Sequence, residues 1–298
     1  MSRDTNFYYS FLVLPVEKRR AIVAVWDFCR AVDDAVDVIA VRGPEGEAAA
    51  QAEIATWRAE LERCFTGREP ETAQGANLQP FIRRFHLPRQ PFEDLLDGVT
   101  MDLGERRYET FDDLYEYCIR VASAVGLICL EIFGYREPSA RDYAISLGVA
   151  LQLTNIIRDV GVDLEVGRVY LPQEDLRQFG CTESDLRHGQ VTAEVRTLLE
   201  YQCDRARTYY RRASALLPVG DARRLVAAEI MGAIYFAILK RVERSGYAVL
   251  SAVIRVPRPV RALIAAVTWI RVLLLPTRVA YGPGRGAPRV RPPRAPRP

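Results

Sequence analysis

Two short stretches carry acids at helical spacing among apolar residues. In FCRAVDDAVD, residues 28–37, Asp33 and Asp37 stand four apart, so a helix turns both carboxylates to one side. Arg30, three residues before Asp33, falls near that side, while Asp34 lies about 100° round and need not join them. In QLTNIIRDVGVDLEVGRVYLP, residues 152–172, Asn155, Asp159 and Asp163 recur every four residues, and Gln152 extends the stripe. The positions between, Leu153, Ile156, Ile157 and Val160, are apolar. Gly161 costs about 1 kcal/mol there relative to alanine, which close approach of another helix or a ligand would explain.

Acids inside apolar helices need a cation or a paired base. Either stretch alone would pass for a solvated helix face. Together, Asp33 and Asp37 opposite Asn155, Asp159 and Asp163 make an oxygen-rich set. Magnesium takes such donors while keeping waters and bridging substrate phosphates. No cysteine or histidine interleaves with the acids, which argues against zinc or an iron–sulfur centre, and the Glu and Glu-x-x-His pairs of a di-iron bundle are missing. The chemistry implied is ionisation of a carbon–oxygen bond to diphosphate, with metal and arginine neutralising the leaving group. The resulting cation needs a dry, aromatic-lined pocket. Phe7, Phe11, Trp26, Tyr117, Tyr235 and Phe236 could line it, although each taken alone reads as core.

The elements that must position these residues are helical. Apolar-periodic runs place helices near 16–40, 45–64, 90–104, 110–134, 138–165, 192–216, 222–245 and 259–275, and strand alternation is scarce. The chain has 298 residues, 49% of them hydrophobic, enough for one large core. We read residues 1–281 as a single all-helical domain and the Pro/Arg-rich residues 282–298 as a disordered tail. The run RALIAAVTWIRVLLLP, from Arg261, has nine residues between its two arginines, short of the ~20 that span a bilayer. It is either a packed helix or an interfacial one.

The net charge of +3 hides a division. Residues 1–243 carry 30 Lys/Arg and 38 Asp/Glu, whereas residues 244–298 carry 11 arginines and no acid. An acidic body argues against a nucleic-acid partner, and the basic end suits peripheral contact with a membrane surface. Six scattered cysteines without a CxxC read as free thiols, and MSRDTNFYYSF holds no long apolar run of the secretory kind. The expected location is cytoplasmic, with contact at the inner membrane surface allowed.

With MDLGERRYETFDDLYEYCIRVASAVG at 101–126, the two acidic stretches resemble the squalene/phytoene synthases, and the resemblance runs from about Asn6 to Pro276. It implies the all-α isoprenoid (terpenoid) synthase fold, a helical bundle with a central cavity. It implies magnesium, with manganese as a substitute, held by Asp33 and Asp37 from one side and by Asn155, Asp159 and Asp163 from the other. Arg30, Arg168 and Tyr170 match diphosphate-binding positions, Asp102 a pocket acid, and Tyr117 and Tyr235 cavity tyrosines. Val121, Val125, Gly126 and Gln152 match positions near the prenyl chain; Phe7 and Phe11 match entrance aromatics. Val162 and Leu164 flank Asp163 where many relatives are more polar, which implies a drier surface.

Within the family, EIFGY at 131–135 and RVASAVG at 120–126 look more like bacterial presqualene diphosphate synthases of hopanoid biosynthesis. The expected reaction is therefore head-to-head joining of two farnesyl diphosphates to presqualene diphosphate, without NADPH, by a monomer or weak dimer. The alternative is a phytoene synthase joining two geranylgeranyl diphosphates, or a squalene or dehydrosqualene synthase that carries the reaction further.

Overall fold

The computed structural model describes residues 7–40, 44–103, 107–274 and 281, and all their side chains except those of 36–40, 44 and 45. The described residues form helices α1 (Tyr8–Phe11), α2 (Val16–Ala40), α3 (Pro44–Thr66), α4 (Ala73–Phe85), α5 (Gln90–Thr100), α6 (Phe111–Cys118), α7 (Ala124–Phe133), α8 (Ser139–Glu165), α9 (Gln173–Gln178), α10 (Glu183–Arg187), α11 (Ala193–Leu216), α12 (Val226–Arg244) and α13 (Arg258–Leu274). A π-turn at Ile119–Ser123 joins α6 to α7, and a 3₁₀ turn at Val219–Asp221 precedes α12. One isolated bridge, between Arg107 and Val169, is the sole β pairing among the described residues. The tail from 282 lies outside them.

At the centre of the bundle is α8, packed against α7, α11 and α12. By length and composition it could cross a membrane, but 14 of its residues are buried inside the bundle. Along α2 the residues Ile22, Val25, Phe28 and Val32 are buried at three- and four-residue intervals, so one stripe faces the core. Thr110 and Asp113 close a capping box that starts α6.

The expected helices are present with shifted ends, and two differences are instructive. The run 110–134 is not a uniform α-helix, because the π-turn interrupts it. Helix α4 falls between the runs 45–64 and 90–104, where the sequence pattern places no helix. It has an internal Pro80 and buries only Gly75, Leu78 and Ile82, so its apolar period is faint. A distant residue fixes its start: the buried carboxylate of Glu60 accepts from Thr72 N at 2.8 Å and Thr72 Oγ1 at 2.7 Å. The 90–104 run ends as helix at Thr100.

Two glycines on α8 mark where chains must meet closely. A Cβ at Gly148 would stand 2.6 Å from Ser123 Cα, so the π-turn rests directly on the α8 backbone. A Cβ at Gly161 would meet Leu250 O at 2.7 Å, and Gly161 N donates to Val249 O at 3.3 Å. The close approach expected at Gly161 is thus made by the connection after α12, not by a helix or ligand.

Candidate active site

A cavity of about 1310 Å³ runs between α2, α5, the α6–α7 pair, α8, α12 and the segment 253–261. On α8 its lining extends from Tyr143 to Asp163, a rise of about 30 Å at 1.5 Å per residue. Of the site residues expected from the sequence, all line it but two: Asp37, whose side chain lies outside the described residues, and the aromatic Phe236. That ring packs behind the wall against Tyr210 and Tyr281, with centroids 5.2 and 4.9 Å away.

The acids gather at one end. From α2, Arg30 and Asp33 face the cavity, and Arg30 pairs with Asp34 at 2.9 Å and with Asp33 at 3.7 Å. Across from them α8 presents Gln152, Asn155, Asp159 and Asp163. Asp159 is held by its neighbour Arg158, whose Nε donates to Oδ1 at 2.7 Å. Burial, and then the charge of Asp159, pushes the Asp163 carboxyl up to about 7; Arg168 pulls the other way. Asn155 Nδ2 donates to Gln152 Oε1 at 3.3 Å, while Asn155 Oδ1 is buried without a partner.

Beside the acids, Asp102 accepts from Tyr117 OH and Tyr170 OH, each at 2.8 Å, one on either carboxylate oxygen. The two rings stack at 5.2 Å and 26°. Burial raises Asp102 to about 6 against the opposing charge of Arg168. This network fixes both tyrosines on the cavity wall.

Beyond the acids the wall is mainly apolar. Phe7 lies 4.2 Å from the Trp26 ring and about 6 Å from those of Phe11 and Tyr235. From the α6–α7 pair come Tyr117, Val121, Val125, Cys129 and Phe133, each four residues after the last. On a regular α-helix that spacing drifts about 40° per step. The wider π-turn between Ile119 and Ser123 takes up part of the drift and keeps the row on the cavity.

Sequence reasoning missed Arg158, which sits off the acidic stripe but is bent back onto Asp159. It also missed that Arg255, Arg258 and Arg261 line the cavity. Their three-residue spacing was a usable signal, but the basic end read as a face for a membrane surface. All six cysteines are free, and Cys29 and Cys129 face the cavity.

These residues fit magnesium. The donors at the acidic end are oxygens, one of them is the orphaned Asn155 Oδ1, and burial there penalises an uncompensated Asp163 charge. Among the described residues no three His, Cys, Asp or Glu side chains are grouped closely enough to hold an ion unaided. Magnesium does not require that, since it keeps waters and binds one or two carboxylates together with substrate phosphates.

The squalene/phytoene synthase family model matches residues 1–261. The chain belongs to this family. It is 38% identical over 285 residues to the 15-cis-phytoene synthase of Synechococcus elongatus, covering 91% of this chain and 87% of that one. Against the phytoene synthase 2 of Solanum lycopersicum the identity is 36% over 279 residues, covering 91% and 87%. In three dimensions it resembles a dehydrosqualene synthase with a TM-score of 0.80 at 28% identity, covering 91% of this chain and 92% of the other. A squalene synthase from Alicyclobacillus acidocaldarius follows at TM-score 0.72 and 32% identity, covering 81% and 89%. The fold is the all-α isoprenoid synthase bundle, and the family is one of magnesium-using prenyltransferases.

These relatives correct the finer expectation. We had placed the chain nearest the presqualene diphosphate synthases, with farnesyl diphosphate as substrate and hopanoids as the destination. Eight curated relatives at 35–39% identity are phytoene synthases. Val121, Ala122, Val125 and Gly126 of RVASAVG line the cavity, but other residues of the two signals report packing. Ser123 of RVASAVG is buried under Gly148 and donates to Ile145 O at 2.9 Å. Of EIFGY only Phe133 reaches the cavity, while Gly134 ends α7 and Tyr135 bonds back to Glu131. Residues that fit one helix against another carry little information about substrate length.

Proposed function

We propose that the protein joins two geranylgeranyl diphosphates head to head and carries the product on to phytoene, in the cytoplasm beside a membrane. The observation that carries this reading is a cavity of about 1310 Å³ with acids and arginines at one end and a long apolar trunk. Sites for drug-sized ligands occupy about 300–1,000 Å³, so there is room here for two long chains. The phytoene synthases at 38% identity supply the chain length.

The chemistry follows from the walls. Arg30 and Arg168 offset the negative charge of the departing diphosphate, and Arg158 keeps Asp159 aimed at the same end. Magnesium, when bound by Asp33, Asn155, Asp159 and Asp163, would draw charge off the leaving oxygen. The first carbon–oxygen bond breaks to an allylic cation and diphosphate. The 2,3-double bond of the second substrate attacks that cation, and loss of a proton closes a cyclopropane. A second ionisation, rearrangement and proton loss give the C40 polyene, so the sequence consumes no reductant. The aromatic faces of Phe7, Trp26 and Tyr235 are placed to stabilise cationic carbon, and the apolar trunk keeps water from trapping it.

The test is incubation of purified protein and magnesium with geranylgeranyl and farnesyl diphosphates in competition, followed by mass analysis. Phytoene as the main product supports the reading. A preference for C30 products would overturn it.

A further inference from the structure

Helix α13 is apolar on two faces, but only one of them is covered. Arg261, Ala265, Thr268 and Val272 point into the bundle. On the opposite side Val260, Leu263, Val267, Ile270 and Leu274 form a stripe at three- and four-residue intervals, with Leu263 62% and Leu274 74% exposed, and Trp269 stands beside it. No charged residue falls between Arg261 and Arg271. Helices that are apolar all round are normally buried, and an exposed patch of this kind marks an interaction surface.

The position and charge of the helix indicate what covers it. Its first turn is part of the cavity wall: Pro257, Arg258 and Arg261 line the cavity, and Arg255, Pro257 and Arg258 are also exposed, so the cavity opens where α13 begins. The adjoining α1 packs on α13, and Leu12 and Val16 just after it add exposed apolar surface. Residues 244–298 hold 11 arginines and no acid. A second copy would bring two such segments together. Residues 275–298 contain only Leu275, Val279 and Val290 as large aliphatic side chains, too few to cover the stripe. An anionic lipid surface satisfies both the apolar stripe and the arginines.

We propose that α13 is the membrane-docking element. It lies flat in the interface of an anionic bilayer with the Val260–Leu274 stripe toward the acyl chains and the arginines at the lipid phosphates. The cavity's opening is thereby held at the lipid surface, from which a prenyl diphosphate enters and to which a hydrocarbon product leaves. This role rests on the proposed prenyl chemistry, but docking itself does not depend on which diphosphate is used.

The experiment is flotation of the full chain, without prenyl substrate, on vesicles of phosphatidylcholine alone and of phosphatidylcholine with phosphatidylglycerol. It is repeated with the double variant Leu263→Glu, Val267→Glu, which changes only exposed positions outside the cavity. The wild type should float with the anionic vesicles and be released by salt, and the variant should lose roughly tenfold or more of its partition. The variant's helicity and its turnover of detergent-dispersed substrate should be unchanged. Equal partition of wild type and variant would overturn the proposal, as would a wild type that ignores anionic vesicles. So would a wild-type dimer, seen by sedimentation, that the variant dissolves while neither binds lipid.

Discussion

Helices α8 and α13 break the same rule in opposite directions. The first turns acids and amides, half-buried, into a cavity inside the molecule; the second shows valines, leucines and a tryptophan to solvent. Buried polar groups and exposed apolar patches are the informative exceptions in a folded protein. On α8 the exceptions share one stripe and one cavity, so they mark where charge is handled. On α13 they share the outward stripe of a helix that begins at that cavity's opening, so they mark where lipid is met.

Removing the exceptions on α8 should have the largest effect. Asp159→Ala should lower turnover by about a thousandfold or more, while circular dichroism and the melting temperature change little. A variant retaining near wild-type turnover would detach the acidic stripe from the chemistry. Next in size is the packing that holds the stripe in place. Gly148→Ala would push a methyl to 2.6 Å from Ser123 Cα and should cost about 1–3 kcal/mol in denaturant unfolding. A neutral result would mean that the π-turn is not pinned by α8.

A smaller effect should appear with pH in the metal-free protein. Burial holds Asp102 near 6 and Asp163 near 7, both above the ordinary 3.8. A carboxyl whose folded pKa is raised destabilises the fold while ionised, and that cost is relieved progressively as pH falls from the folded value toward the ordinary one. Stability should therefore rise as pH is lowered from about 8 to about 5. Asp163→Asn should flatten the slope, and magnesium should reverse its sign because protons then compete with the ion. A wild type and variant with the same slope would remove Asp163 from the account. The smallest effect belongs to α13, where Leu263→Ser should change stability by no more than about 0.5 kcal/mol. A larger loss would show that the outward stripe is covered in solution.

Much of this was legible in the sequence, for identifiable reasons. Four-residue spacing placed Asn155, Asp159 and Asp163 on one face before any coordinates, since helical geometry alone fixes that. The all-α class followed from the long apolar periods. Helix α4 was not legible because its start depends on Glu60, a dozen residues away from Thr72. Arg158 was not, because a long side chain reached round to a neighbour's carboxylate. The segment 253–261 looked like surface from charge alone, and only its path across the cavity shows otherwise. Substrate length was misread because the residues chosen to judge it, Ser123 and the end of α7, serve helix packing.

The claim on which the rest depends is that the acidic end of the cavity binds diphosphate through magnesium. The direct measurement is calorimetric binding of a non-ionisable thiolo-diphosphate analogue of geranylgeranyl diphosphate, with and without magnesium, to wild type and Asp159→Ala. Tight binding by the wild type only when magnesium is present, and loss of that binding in the variant, is the expected result. Equal affinity without the ion, or an unchanged affinity in the variant, would contradict the account.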